Sequence, residues 1–411
     1  MNNLETRRGF LKNSLLGVGS VSLISSAFGS TDLLQQRILT PSLPGMINAR
    51  WNKRGVVLKP DQNWEHGSIQ NFNSPAIPLG AGAWRVWYCV NPPAPYTPTI
   101  AYAEGVPGRQ MNKFRAELTP GCPSNSILSI GNLPEGWSPV QPVYINLKNG
   151  QHRLYFWVHS SEQRVVRYLV AESDDGHRYE VLDPYRPVLY HFNDRAVEFV
   201  GTTPSGMILN EKQRFQRPSH EPPADPKLIC NDATTVYQLR DGSFEMYTIS
   251  LMSLDRDDPR WAPNDNLAGY VRVVDRLVSK DGLNWGGRIT VLKPDRLMDP
   301  GDLQFYYLNV THTDSGRIGM LGYYRVRDQT MDVERCFSAD GIHWERPFRN
   351  VPWLERGWPS ADPDTLGIYP ASSITYHDGR WWLFYTGCNY THNRKTATGD
   401  PQSLIMLANL Y

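Results

Sequence analysis

Across 411 residues, 42 Lys+Arg stand against 41 Asp+Glu, giving a formal net charge of +1. That balance excludes the basic footprint of a nucleic-acid binder. Hydrophobic residues at 40% and aromatics at 11%, with 33 Gly and 32 Pro dispersed along the chain, exclude disorder, collagen and coiled coil and leave a globular protein with a large core.

Residues 1–30 differ in composition from the remainder of the chain. Arg7, Arg8 and Lys12 precede an uncharged apolar run holding Leu15, Leu16, Val18, Val21, Leu23 and Ile24. A basic n-region followed by an h-region of this length predicts an export signal rather than a spanning helix, which requires about 20 apolar residues. Thr6-Arg7-Arg8-Gly9-Phe10-Leu11-Lys12 resembles the bacterial twin-arginine signal, with Ala27-Phe28-Gly29 as a small-residue cleavage site. The resemblance implies passage through the twin-arginine translocase and a periplasmic or extracellular location. No later stretch is apolar enough to span a bilayer. The five cysteines are scattered and odd in number, with no CxxC, and are expected mainly as buried apolar side chains.

From residue 45 onward one pattern recurs. A Gly opens an aromatic-rich strand five times, at Gly82, Gly150, Gly242, Gly316 and Gly379. Asp241-Gly242 and Asp378-Gly379 separate apolar runs and predict tight hairpins. A second element comes after three of the hairpins: Ser173-Asp-Asp-Gly176-His-Arg-Tyr179, Ser279-Lys-Asp-Gly282-Leu-Asn-Trp285 and Ser338-Ala-Asp-Gly341-Ile-His-Trp344. Its glycine supplies positive φ and its aromatic folds back under the turn, so these aspartates are expected to be structural. Leu254–Leu267, rich in Asp, Arg, Pro and Asn, is expected as a surface insertion. The glycine spacing suits five units of about four strands, and no amphipathic helix is evident. The fold class predicted is therefore all-β, a five-bladed β-propeller of four-stranded antiparallel sheets over residues 45–411. The last unit is a strand short, and Gly55-Val-Val-Leu58 from the N-terminal side is expected to complete it.

Aromatic hairpins with Ser-x-Asp-Gly-x-x-Trp turns resemble the five-bladed propellers of the glycoside hydrolases that include families 32, 43, 68, 117 and 130. The resemblance covers about residues 45–411 and implies a carbohydrate substrate; in some relatives a calcium ion sits in the channel. This sequence itself carries no metal-ligand motif and implies no cofactor.

Polar residues just upstream of each hairpin converge at one mouth of such a ring. These are Glu65, His66, Asn71 and Asn73 in the first unit, Gln141 in the second, Asn231 and Asp232 in the third, Asp299, Asp302 and Gln304 in the fourth, and Asp362 and Asp364 in the fifth. Glycoside hydrolysis usually uses two carboxyl groups, one as acid and one as base or nucleophile. Asp232, Asp302 and Asp364 each stand immediately before an apolar strand and are the expected catalytic carboxylates. Glu65, His66, Asn71, Gln141, Gln304 and His392 are expected to bind substrate, and Trp64, Trp261 and Trp358 are loop aromatics able to stack on sugars. Family 43 relatives carry an Asp, an Asp and a Glu on their first three blades; here those places hold Glu65, His66 or Asn71, then Gln141, then Asp232. The competing expectations are a carbohydrate-binding propeller without catalysis and a phosphorylase, the latter disfavoured by sparse basic residues at the unit starts.

Overall fold

The computed structural model describes residues 49–65, 68–90, 98–115, 129–197, 199–203, 206–209, 227–254, 257–258, 260, 265, 268–359, 362–393 and 396–410. The expected signal segment, His66 and Trp261 lie outside them. The described residues form strands, turns and bends without a helix.

A first strand, β1 (Asn52–Leu58), precedes five successive blades, the fourth and fifth of which are linked into one sheet by a parallel pairing of Met331 with Gly367. Blade 1 comprises a divided inner strand, β2 (Ile69–Gln70) and β3 (Ala76–Gly80), then β4 (Ala83–Val90), β5 (Thr99–Gly105) and β6 (Met111–Arg115). Blade 2 is built from β8 (Ser138–Asn146), β9 (His152–Ser160), β10 (Val165–Ser173) and β11 (Arg178–Val181), with short β7 (Ser129–Gly131) and β12 (Leu189–Tyr190) along its edge. A separate hairpin, β13 (Phe199–Thr203) and β14 (Gly206–Leu209), leads into blade 3: β15 (Lys227–Gln238), β16 (Phe244–Ser253), β17 (Tyr270–Ser279) and β18 (Gly286–Leu292). Blade 4 has three full strands, β19 (Leu303–Thr313), β20 (Gly316–Arg325) and β21 (Thr330–Ser338), its fourth reduced to isolated bridges at Glu345 and Leu354. Blade 5 has a divided inner strand, β22 (Gly367–Pro370) and β23 (Thr375–His377), then β24 (Arg380–Cys388) and β25 (Ser403–Leu410).

Its outer strand is β1, antiparallel to β25 from Asn52 opposite Asn409 to Leu58 opposite Ile405. The N-terminal strand thus covers the edge that β25 would otherwise expose.

Burial follows from the radial arrangement. A blade has neighbours on both faces, so its middle strands are buried on both. Every residue of Thr330–Ser338 and of Ser403–Leu410 is buried, where a one-sided sheet would alternate. Five apolar clusters fill the five joints. Trp87, Tyr102 and Phe156 lie between blades 1 and 2; Val140, Trp157 and Met246 between 2 and 3; Ile249, Phe305 and Tyr307 between 3 and 4; Met320, Trp381 and Leu383 between 4 and 5; and Val86, Tyr88 and Ile405 between 5 and 1. The last joint is also hydrogen-bonded, Asn73 N–H to Pro370 O at 3.2 Å and Ser372 N–H to Ser74 O at 3.1 Å. These contacts close the all-β five-bladed propeller.

The Ser-x-Asp-Gly turns are clasps between blades. In the second of them Ser279 Oγ accepts the Gly282 amide, Asp281 accepts the amides of Leu283 and Asn284, and Trp285 Nε1 donates to Gly282 O at 3.0 Å. The preceding blade then grips the turn: Tyr155 Oη donates to Gly282 O at 2.9 Å and Arg153 to Asp281 O at 2.6 Å. Tyr247 of blade 3 holds Gly341 O in the same way, and Arg317 of blade 4 itself binds Ala339 O. Cys89, Cys230, Cys336 and Cys388 are buried thiols.

Candidate active site

All five inner strands are irregular at the same level. β2 and β3 are separated by Asn71–Pro75, β22 and β23 by Ala371–Ile374, and β8, β15 and β19 break register between Val140 and Val143, Asp232 and Thr235, and Phe305 and Leu308. Such bulges re-aim side chains and bend the strand. In blade 3 the distortion is greatest around Asp232, whose neighbours Asn231 and Ala233 both have left-handed backbones, at φ 56° and 47°. Two closely spaced non-glycine departures of this kind cost energy and persist only where the surroundings impose them.

Those surroundings are polar and buried. Arg288 donates to Asn231 Oδ1 and, at 3.1 Å, to Asp275, which also accepts from Ser250 and Thr290. Asn231 Nδ2 donates to Tyr190 O at 2.8 Å, tying blade 3 to the chain leaving blade 2. Thr234 Oγ1 donates to Asn231 O at 2.7 Å. Asp232 itself is half-buried; its Oδ1 accepts the Ala233 amide at 2.9 Å, and among the described residues it forms no ion pair.

Within reach of the Asp232 charge lies a buried aromatic cluster. Tyr306, at the bulge of β19, is flanked by His392 with ring centres 4.5 Å apart, by Tyr324 at 5.7 Å and by Phe72 at 6.2 Å. The Arg272 guanidinium lies over both Tyr306 and Tyr324, 5.2 and 5.3 Å from the ring centres. It is held by Asp265 at 2.9 Å and Gln304 at 2.6 Å. Burial and the charge of Asp232 push the Tyr306 phenol well above its ordinary range. From blade 2 come His159 and His191. Burial lowers the His191 imidazole to about 4, against the opposing charge of Asp232, while His159 is exposed near the end of its strand.

The expected site residues divide sharply. Asp232 and His392 meet around Tyr306, with His392 Nδ1 3.0 Å from Tyr369 Oη. Gln304 reaches the same cluster indirectly, its side chain accepting from Arg272 and donating to Tyr270 O. Asp302 and Asp364 share no contact with Asp232 among the described residues. Asp302 is buried and paired with Arg325 across the top of blade 4, 2.6 Å from its Nη2. Asp364, fully buried, accepts from Lys53 of the closing strand at 2.6 Å and Tyr385 at 3.1 Å, placing it beneath the outer part of blade 5. Glu65 is likewise committed: it accepts the amides of Asp61 and Gln62, Lys113 Nζ and Tyr88 Oη. Asn71 bonds Thr386 and stays buried, and Gln141 occupies the bulge of β8 with φ 52°. Trp358 is 80% exposed on its loop, whereas Trp64 stacks on Tyr88.

Sequence reasoning missed Tyr306, Arg272, His159, His191 and Asp265. Asp265 also revises the insertion expected over Leu254–Leu267: at this point the loop turns inward and its carboxylate is buried against Arg272 and Tyr324. The only cue was the Tyr306-Tyr307 pair inside an inner strand. Among the described residues no three His, Cys, Asp or Glu side chains gather as a metal site. The channel calcium of the resemblance finds no such donor set among the described residues. No helix among the described residues is long and apolar enough to cross a membrane.

No protein-family model matches the chain, and no curated protein matches it. Solved structures do. A glycosyl hydrolase from Bacteroides ovatus superposes with a TM-score of 0.53 at 13% identity, covering 89% of this chain and 95% of that one. A provisionally assigned glycosidase from Bacteroides thetaiotaomicron VPI-5482 gives 0.52 at 13% identity, covering 88% and 97%. BT0996 in a complex with RGII gives 0.53 at 14% identity, covering 87% and 90%. At such identities the likeness is one of fold. It places the chain's architecture among structures named as glycosidases.

Proposed function

We propose that this protein is an exported glycosidase that takes a carbohydrate into the pocket around Tyr306 and cleaves a glycosidic bond there, with Asp232 as the reacting carboxylate. One observation carries the reading. Of Glu65, Asp232, Asp302 and Asp364, Asp232 alone is without an ion pair among the described residues, and it stands on a strained bulge with its charge within reach of the aromatic cluster. Aromatic faces suit the apolar faces of sugar rings, and a carboxylate in such a pocket suits acid, base or nucleophilic work at the glycosidic carbon. His392 lies within the same pocket, able to donate to or accept from a substrate hydroxyl. Asp302 and Asp364 act in this reading as framework, through Arg325 and Lys53.

The test is turnover of defined oligosaccharides, beginning with RGII fragments because of the name of one structural neighbour. Wild type is expected to release sugar, and Asp232→Asn to lose about 10²–10⁴-fold in rate while still binding. Equal rates in the two proteins would remove Asp232 from the chemistry. A second reading, a binding propeller without catalysis, is favoured by the commitment of Glu65, Asp302 and Asp364 to other partners, because hydrolysis usually uses two carboxyl groups. Tight oligosaccharide binding with no release of sugar by wild type would establish it. Export by the twin-arginine route, leading to a periplasmic or extracellular enzyme, rests on Arg7 and Arg8; retention of the precursor in the cytoplasm by Arg7→Lys/Arg8→Lys is the expected result.

A further inference from the structure

We propose that His159 and His191 form the hydroxyl-recognising wall of this pocket, His191 donating from Nε2 to a sugar hydroxyl next to the bond that Asp232 serves. The inference rests on the carbohydrate reading above and assigns a role in specificity to two residues of blade 2.

The geometry begins with the backbone. His159 stands opposite Val166 in the ladder of β9 and β10, and the His191 amide donates to Val166 O at 3.1 Å, so both histidines flank one residue of β10. On the other side, Asn231 Nδ2 holds Tyr190 O at 2.8 Å, so the residues after each, His191 and Asp232, are neighbours across the joint of blades 2 and 3, near enough for the carboxylate's charge to act on the imidazole. The His191 ring is then fixed: it stacks on Phe192 at 4.2 Å, meets Trp157 edge-on at 6.4 Å, and its Nδ1 accepts the Asn193 amide at 3.1 Å. A nitrogen that accepts an N–H carries no proton, so the proton of the uncharged ring is on Nε2. Among the described residues Nε2 has no protein partner. His159 remains solvent-accessible at the end of its strand.

Chemistry favours hydroxyls as the ligand. Burial holds the His191 ring in the uncharged form at neutral pH. An uncharged imidazole offers one donor and one acceptor, as a sugar hydroxyl does, and fixes it without placing a second buried charge beside Asp232. A site built to hydrogen-bond a hydroxyl rejects analogues lacking it, because its own polar groups are then left unpaired.

The experiment uses the oligosaccharide bound most tightly by wild type among the RGII fragments, together with its singly deoxygenated analogues. His191→Phe, which keeps the stack on Phe192, is expected to weaken binding and raise KM at least 10-fold with kcat within about threefold. His191→Gln, which restores a donor, is expected to recover most of the loss. One deoxy analogue that binds wild type poorly should bind His191→Phe as well as the parent sugar does. Equal losses from the deoxy change in wild type and His191→Phe would overturn the proposal while leaving the glycosidase reading intact. So would a proton on Nδ1 of His191 in the ¹⁵N spectrum of the unliganded protein. Failure of wild type to bind any carbohydrate would overturn the functional reading, and this assignment with it.

Discussion

Asn231 donates through Nδ2 to the carbonyl of Tyr190 at 2.8 Å, and this one bond makes neighbours of the two residues next in line, Asp232 and His191, so that the carboxylate's charge acts on the imidazole. The same side chain accepts from the buried Arg288, so a single amide joins the ion pair inside blade 3 to the segment leaving blade 2. Asn is suited to the place twice over: it tolerates the left-handed backbone at φ 56°, and it offers both a donor and an acceptor.

Asn231→Ala removes both bonds and keeps a Cβ in a left-handed backbone. A loss of about 2–4 kcal/mol is expected, from stripping Arg288 of a partner and from the backbone itself. Urea unfolding checks the magnitude. In the carbohydrate assay the variant should lose affinity as well as rate, because His191 and Asp232 lose their shared anchor. Unchanged affinity would mean that the anchor does not set the pocket.

The glycine turns allow a sharper comparison. Gly341 has φ +79°, and a Cβ there would lie 2.6 Å from Tyr247 Oη and 2.9 Å from Arg317 Nε. Gly150 has φ +84° but nothing within 4 Å of the same added atom. Alanine at Gly150 is expected to cost about 1–2 kcal/mol, the backbone effect alone. At Gly341 the interblade clasp must also move, and a total of about 3–5 kcal/mol is expected. Thermal unfolding of the two variants side by side would refute the clasp if their losses were equal.

These turns also show how much was legible in the sequence. Ser279, Asp281, Gly282 and Trp285 satisfy one another within seven residues, so their role is local and readable. The closing strand at Asn52–Leu58 was readable for a different reason: blade 5 lacks a strand, and an unpaired edge demands one. The fate of the carboxylates was not readable. Asp302 and Asp364 stand before apolar strands just as Asp232 does, yet Asp364 is claimed by Lys53, 311 residues away in sequence, and Asp302 by Arg325. Ion-pair partners of this kind are set by tertiary packing. Ala233 in a left-handed backbone defies local preference altogether, so the bulge that presents Asp232 leaves no mark on the chain.

Glu245 governs acid stability at the joint of blades 3 and 4. Burial by itself would raise its pKa, but hydrogen bonds from His312 at 2.6 Å and Arg317 at 2.8 Å outweigh that and leave it at about 2, below the ordinary 4.5. A carboxylate depressed in the folded state contributes stability that is fully present above the unfolded pKa. That contribution is lost as pH falls from about 4.5 through about 2. Its magnitude is about 3 kcal/mol. Glu245→Gln should therefore be destabilised at pH 7, with Arg276 and Arg317 left short of a counter-charge, and should lose less further stability than wild type between pH 5 and 3. Parallel stability curves over that interval would show that Glu245 is not the titrating group.

Ring closure makes the last prediction. Lys53 lies on β1 and supplies the only cation paired with Asp364 among the described residues, at 2.6 Å, while the carboxylate is wholly buried. Removing one partner of a buried pair strands the other, so Lys53→Ala is expected to cost about 3 kcal/mol. Lys53→Ala/Asp364→Asn should cost less than the sum of the two single changes, since the amide carries no charge to strand. Deleting residues 1–58 goes further: it takes away the whole ladder from Asn52 to Leu58 and bares β25, whose Leu404, Ile405, Met406 and Leu407 are buried in the intact ring. An open apolar edge invites pairing with a second copy. Size-exclusion chromatography with light scattering should then find dimers or larger species. A truncated chain that stayed monomeric with unchanged stability would show that the ring does not depend on its N-terminal strand.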